Sequence, residues 1–125
     1  MIRRGDVFWT ELNTSNPDAG LKFYQKLFGW SSKPMPMGPD MTYNVLVQNG
    51  KEFGGVLKTQ DPAAPSTWLS YFWVDSVDQA TETAKQLGGT VLMPPGDIPG
   101  TGRMSVIQDP TGASFALFHS DNARP

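Results

Sequence analysis

Asn16-Pro17-Asp18-Ala19-Gly20 opens a run that closes at Leu27-Phe28-Gly29, and 60 residues later Ser76-Val77-Asp78-Gln79-Ala80 opens another that closes at Leu87-Gly88-Gly89. Each run starts with a side chain able to accept a hydrogen bond from the first turn of a helix, and ends at glycine, which tolerates the left-handed backbone of a helix stop. The same offset pairs Trp9 with Leu69, Leu12 with Phe72, Val56 with Ala116, Leu57 with Leu117 and Gly50 with Pro110. So many matches at one offset read as an internal duplication. The chain is therefore expected to form one domain of two modules, module one at about 5–60 and module two at about 66–120.

Within the first run Pro17 takes the first helical position, and Gly20, Phe23, Tyr24, Leu27 and Phe28 recur with helical spacing as an apolar stripe. In the second, Ser76 and Gln79 make a capping-box pattern ahead of Val77, Ala80, Ala84 and Leu87. Before the first helix, residues 7–13 alternate apolar and polar side chains as a strand does, so Trp9, Glu11 and Asn13 share a face. Residues 30–38 read as a short strand running into a Pro/Met-rich loop at 34–40. Residues 41–48 and 52–59 read as two strands joined at Asn49-Gly50, a strong hairpin signal. In the second half, strands are expected at 68–74, 90–93, 103–108 and 114–119, with a Pro/Gly-rich loop at 94–102 and a turn at Asp109-Pro110-Thr111-Gly112. Each half thus reads strand, helix, three strands.

The sequence has 125 residues, of which 38% are hydrophobic, enough for the core of one compact domain. It contains no apolar run of transmembrane length, and its first residues lack a signal-peptide pattern, so a soluble cytoplasmic protein is expected. The absence of cysteine excludes disulfides, zinc-thiolate sites, iron–sulfur clusters and cysteine nucleophiles. With a net charge of −2 and scattered Lys and Arg, there is no basic stripe for a phosphate backbone, which argues against a nucleic-acid partner. A single histidine, His119 near the chain end, cannot serve a catalytic triad, and no glycine-rich phosphate loop precedes a helix.

The duplicated unit, with Phe23-Tyr24-x-x-Leu27-Phe28-Gly29-Trp30 closing its first helix and Gly102-Arg103-Met104 and Gln108-Asp109-Pro110-Thr111-Gly112-Ala113 near its end, resembles the vicinal oxygen chelate superfamily. That group contains glyoxalase I, bleomycin-resistance proteins and extradiol dioxygenases; the closing stretch is similar to a glyoxalase-like subgroup of mostly unassigned activity. The resemblance implies an α+β fold of two tandem βαβββ modules forming a curved, mixed sheet with a cleft, and a homodimer. It also implies a divalent metal held by His, Glu or Gln from the first and last strands of each module. Carried over in register, those positions fall on Trp9, Val56, Leu69 and Ala116, none of which can bind a cation. No metal site and no cofactor are expected, although a divalent metal held by residues outside this register stays open.

Glu11 is the candidate catalytic residue. It lies two residues after Trp9 on the face the resemblance turns into the cleft, and burial beside aromatic groups disfavours an ionised carboxylate, which suits a general base or an anchor for a ligand donor. The alternative is a structural partner such as an arginine or Asn13. Trp9, Glu11, Tyr71, Arg103 and Phe115 form the candidate ligand-binding set. Arg103 follows the glycine-rich loop and suits either an anionic substrate or a structural pairing with Glu11 or an aspartate in the turn, and Trp9 and Tyr71 suit a planar or apolar ligand. Met35, Met37 and Met41 offer an adaptable lip or simple gap filling, and His119 reads as a surface residue. The leading expectation is a small-molecule binding protein or a metal-independent enzyme, with a metal-dependent lyase or dioxygenase as the alternative and a degenerate interaction module as a third reading.

Overall fold

The computed structural model describes residues 2–121. The elements run β1 (Val7–Thr14), α1 (Pro17–Phe28), β2 (Ser31–Pro36), β3 (Thr42–Gln48), β4 (Lys51–Lys58), β5 (Thr67–Trp73), α2 (Val77–Gln86), β6 (Thr90–Ile98), β7 (Gly102–Gln108) and β8 (Ser114–His119). The βαβββ order is written twice, giving the α+β class. By contact the chain divides into two compact units, Trp9–Leu69 and the described residues up to Phe8 together with those from Ser70 onward.

In the Trp9–Leu69 unit the hydrogen-bonded order is β2-β3-β4-β1, with β1 and β4 parallel and the other neighbours antiparallel. In the other unit the order is β5-β8-β7-β6, with β5 and β8 parallel. The parallel pair in each unit joins the first and last strands of a module. Parallel strands need a long crossover, and here helix and hairpin together supply it. The helix ends form as the sequence implies. Asn16 Oδ1 accepts from the Ala19 N–H at 3.1 Å, Ser76 Oγ accepts from the Gln79 N–H at 3.2 Å, and Gly29 stops α1 at φ 77°. Asn49 and Gly50, with φ of 54° and 76°, make the tight β3–β4 turn that two left-handed residues allow.

Each helix covers one side of its strands. Leu12, Leu46 and Val56 form the core against Leu21, Tyr24, Trp30 and Phe53; Val74, Val77, Ile107 and Leu117 form the other against Ala80, Ala84, Val91 and Phe115. Gly20 lets α1 lie close to the strands, since a Cβ there would sit 3.1 Å from Leu12 Cδ2. The second helix is also tied by hydroxyls: buried Thr81 donates to the Val77 carbonyl at 2.6 Å and its oxygen lies 2.9 Å from buried Ser105 Oγ on β7.

Three expectations are corrected. Residues 94–98 belong to β6, which pairs with β7 out to Ile98, and Pro34 and Pro36 lie within β2. Prolines are tolerated there because both strands end their hydrogen-bonded series and β6 carries irregularities after Val91 and Met93. The stripe on α1 is wider than its contact with the strands: Leu21 and Tyr24 pack inward, while Phe23, Leu27 and Phe28 remain more than half exposed. Last, the constant offset fails at the end of each module. Leu12 registers with Val56 and Phe72 with Leu117, an offset of one more residue than the helices keep. Val56 therefore packs under α1, and Gly55 takes the place equivalent to Ala116. A slip of one residue along a strand turns every side chain to the other face.

Candidate functional site

The face of the Trp9–Leu69 unit turned away from α1 is built from alternate residues of β1, β4 and β3. Leu12 points into the core under α1, so its neighbour Glu11 points the other way, as does Trp9 two positions earlier. Glu11 registers with Gly55, and Gly55 with Val45, which puts Tyr43 on the same side. Trp9 Nε1 donates to the Tyr43 hydroxyl oxygen at 2.8 Å. The Tyr43 ring lies directly over Gly55, where a methyl group would overlap the hydroxyl and the ring carbons. The adjacent Gly54 brings β4 against β1 so closely that a methyl group there would overlap the Thr10 carbonyl oxygen. Glu11 is only 5% exposed. A buried carboxylate, an indole and a phenol thus share one glycine-floored face.

Tyr43 was not among the sequence candidates. The signal was present in the glycine pair Gly54-Gly55 inside a strand, a pattern that marks close approach by another group, but which side chain fills the gap depends on strand pairing.

The remaining candidates lie in the other unit. Tyr71 is buried, registers with Ala116 and has its ring 6.2 Å from that of Phe118, on the face away from α2. Phe115 lies on the opposite side, packed on the core under α2 and edge-on to Phe72 with ring centres 5.7 Å apart. Arg103 is on that side too. Its Nε and Nη2 donate to the two carboxylate oxygens of Asp78 at 2.8 and 2.9 Å, and its Nη1 to Asp97 at 3.0 Å, tying α2 to β6 and β7. These hydrogen bonds hold Asp78 below the usual carboxylate range and push the guanidinium further up. Arg103 was expected to pair with Glu11 or with an aspartate in the turn; its carboxylate partners are instead Asp78 on α2 and Asp97 on β6, because β7 packs beneath α2 and beside β6.

His119 is half-buried rather than a simple surface residue. Its ring lies 4.7 Å from that of Trp73, with Nδ1 at 2.9 Å from the Val74 carbonyl and Nε2 at 2.9 Å from Asp121. The Asp121 hydrogen bond raises its pKa, partial burial opposes this, and the Val74 carbonyl reinforces it. A surface recess of about 390 Å³ lies beside it, lined by residues from Asp97 to Arg103 and from His119 to Asp121.

The glyoxalase/bleomycin resistance protein/dioxygenase superfamily model matches residues 7–117, and the chain belongs to that family. It is 37% identical over 114 residues to the protein named "Putative glyoxylase CFP32" of Mycobacterium tuberculosis, covering 91% of this chain and 44% of that one. It is 31% identical over 128 residues to the anthracycline biosynthesis protein DnrV of Streptomyces peucetius, covering 91% of this chain and 46% of that one. The chain therefore spans somewhat under half the length of these curated relatives. Among solved structures, the hypothetical protein BH1468 from Bacillus halodurans C-125 superposes with a TM-score of 0.71 at 11% identity, covering 98% of this chain and 100% of that one. Streptomyces coelicolor methylmalonyl-CoA epimerase in complex with 2-nitronate-propionyl-CoA superposes with a TM-score of 0.68 at 14% identity, covering 95% and 99%. These two likenesses concern the fold alone.

A divalent metal is common in this superfamily. The residues that take its register here are Trp9, Leu69, Gly55 in place of Val56, and Ala116, and none offers an imidazole or carboxylate. Among the described residues no three His, Asp or Glu side chains converge on a point that a cation could occupy. The donor set does not fit the group, so no chemical step is derived through it. Among the described residues no helix is long and apolar enough to cross a membrane.

Proposed function

We propose that this protein binds a planar, mostly apolar small molecule on the face formed by Trp9, Tyr43 and Glu11, and that it sequesters or transforms that molecule without a dedicated metal ion. The observation that carries the reading is the Trp9–Tyr43 hydrogen bond, which holds two aromatic side chains together over a glycine floor on the face that also bears Glu11. Aromatic and apolar lining with a few placed polar groups is what small-ligand sites use. Glu11 is the group we assign to a ligand donor or to proton abstraction. Arg103 and Phe115 are left out of the assignment, because the first is engaged by Asp78 and Asp97 and the second packs under α2. The names of the relatives support the class: one is called an anthracycline biosynthesis protein, and an anthracycline is a planar polycycle. The reading includes a homodimer acting in the cytoplasm.

The test is titration of the purified chain with an anthracycline, followed by isothermal calorimetry, for the native chain and for Trp9→Ala and Glu11→Gln. Micromolar binding that falls at least tenfold in both variants, while their circular dichroism is unchanged, supports the reading. Equal affinity in native and variant chains removes it. The metal-dependent lyase or dioxygenase reading is tested by mass spectrometry under native conditions after growth with zinc, nickel, manganese and iron. One retained ion per chain would overturn the metal-free assignment.

A further inference from the structure

On or beside α1, Phe23 is 59% exposed, Leu27 57%, Phe28 52% and Trp68 37%, and the three aromatic residues among them belong to one series of ring contacts. Tyr24 meets Phe23 and Trp68 edge-on at 5.0 and 5.2 Å and stacks on Trp30 at 5.5 Å; Trp30 in turn lies 4.9 Å from Phe28. The Trp68 Nε1–H donates to the Tyr24 hydroxyl at 3.1 Å, so the rings are fixed relative to one another. A rigid aromatic platform loses little side-chain entropy on docking, which is why such residues dominate binding hot spots.

The duplication supplies an internal control. At the same offset α2 carries Thr83 where α1 has Phe23 and Ala84 where α1 has Tyr24. The comparison isolates Phe23: Leu87, the counterpart of Leu27, is itself 74% exposed, and Ala84 packs on its core as Tyr24 does, whereas a small polar threonine suffices where α1 exposes Phe23, so that ring is not needed for a module of this kind to fold.

We infer that the α1 platform of Phe23, Leu27, Phe28 and Trp68 is the surface on which a second copy of this chain docks; the inference rests on the homodimer included in the proposed function. At about 200 Å² for a whole large side chain, the exposed fractions amount to roughly 400 Å² of apolar surface, about half of the ~800 Å² each partner contributes to a stable interface. The exposed polar residues flanking the platform on α1, Lys22, Gln25 and Lys26, supply a polar rim. A second copy is the occupant favoured by length: relatives at 37% and 31% identity are more than twice as long as the matched segment, so they carry in one chain enough residues for a second such domain. A two-fold pair of this chain buries the same patch on both partners.

The cysteine-free sequence allows a direct test. Sedimentation velocity of the full chain between about 1 and 100 μM is compared with Phe23→Thr, which installs the α2 counterpart, and a single cysteine is placed either by Leu27→Cys or by Leu87→Cys at the residue that caps the end of α2, which is 74% exposed. A native dimer, at least tenfold weaker in Phe23→Thr with an unchanged melting temperature, and mild-oxidant crosslinking of Leu27→Cys well ahead of Leu87→Cys support the inference. A native chain that stays monomeric at 100 μM overturns both this surface and the homodimer. A dimer that Phe23→Thr leaves within twofold, or equal crosslinking at the two cysteines, overturns the surface alone. Binding of a different macromolecule to the platform of a monomeric chain counts against it equally.

Discussion

Replacing Gly55 by alanine puts a methyl group into the space filled by the Tyr43 hydroxyl and ring. The clash is with a side chain, so Tyr43 must turn aside, and with it goes the Trp9–Tyr43 hydrogen bond of 2.8 Å. Overpacking of this kind costs about 1–3 kcal/mol and the lost hydrogen bond about 1 kcal/mol, while the stiffer unfolded chain returns about 0.7 kcal/mol. The net expectation is a loss of roughly 1.3–3.3 kcal/mol, or a melting temperature lower by about 4–15 °C for a domain of this size. Chemical denaturation measures the first number and calorimetry the second. The mechanism is isolated by a double-mutant cycle with Tyr43→Ala: without the ring, Gly55→Ala should cost nothing or stabilise slightly. Gly54→Ala provides the contrast, because its methyl group meets the Thr10 backbone carbonyl, which cannot swing away, and no change at Tyr43 should rescue it. If Gly55→Ala costs the same with and without the Tyr43 ring, the assignment of glycine as the floor of this face is wrong.

Leu46, 1% exposed at the centre of the core under α1, should lose about 2–5 kcal/mol on truncation to alanine, read from urea unfolding. Thr81→Val keeps the volume but takes the hydroxyl from Ser105 Oγ; it should cost about 1–3 kcal/mol, and adding Ser105→Ala should recover part of it. His119 is held above its ordinary pKa first by Asp121, so the folded state binds its proton more tightly than the unfolded state does. Its contribution to stability is fully present below the unfolded pKa near 6.5 and is lost as pH rises through the higher folded value. NMR titration of this sole histidine should show the raised value in the native chain and a lower one in Asp121→Asn, and an unchanged midpoint would refute the coupling.

The face that Trp9 and Glu11 occupy was legible from alternation alone, since the other face of their strand carries Leu12, and the face of Tyr71 in the other unit follows from the duplication. Phe115 and Arg103 were legible as strand residues, but which face they occupy depends on β8 and β7 packing beneath α2, an arrangement that one-dimensional periodicity does not carry. Tyr43 was hidden for the same reason: its partners Trp9 and Gly55 are 34 and 12 residues away, and only β1–β4–β3 pairing brings them together.

The amino-acid sequence by itself determined the two helices, their caps, the Asn49-Gly50 hairpin and the βαβββ repeat, because each rests on interactions between residues a few positions apart. The tertiary structure decided the register of the last strand of each module, the pairing of proline-bearing β2 and β6, and the exposure of the α1 aromatic residues. Those depend on which strand lies beside which, and a single residue of slip there exchanges core for surface without altering any local preference.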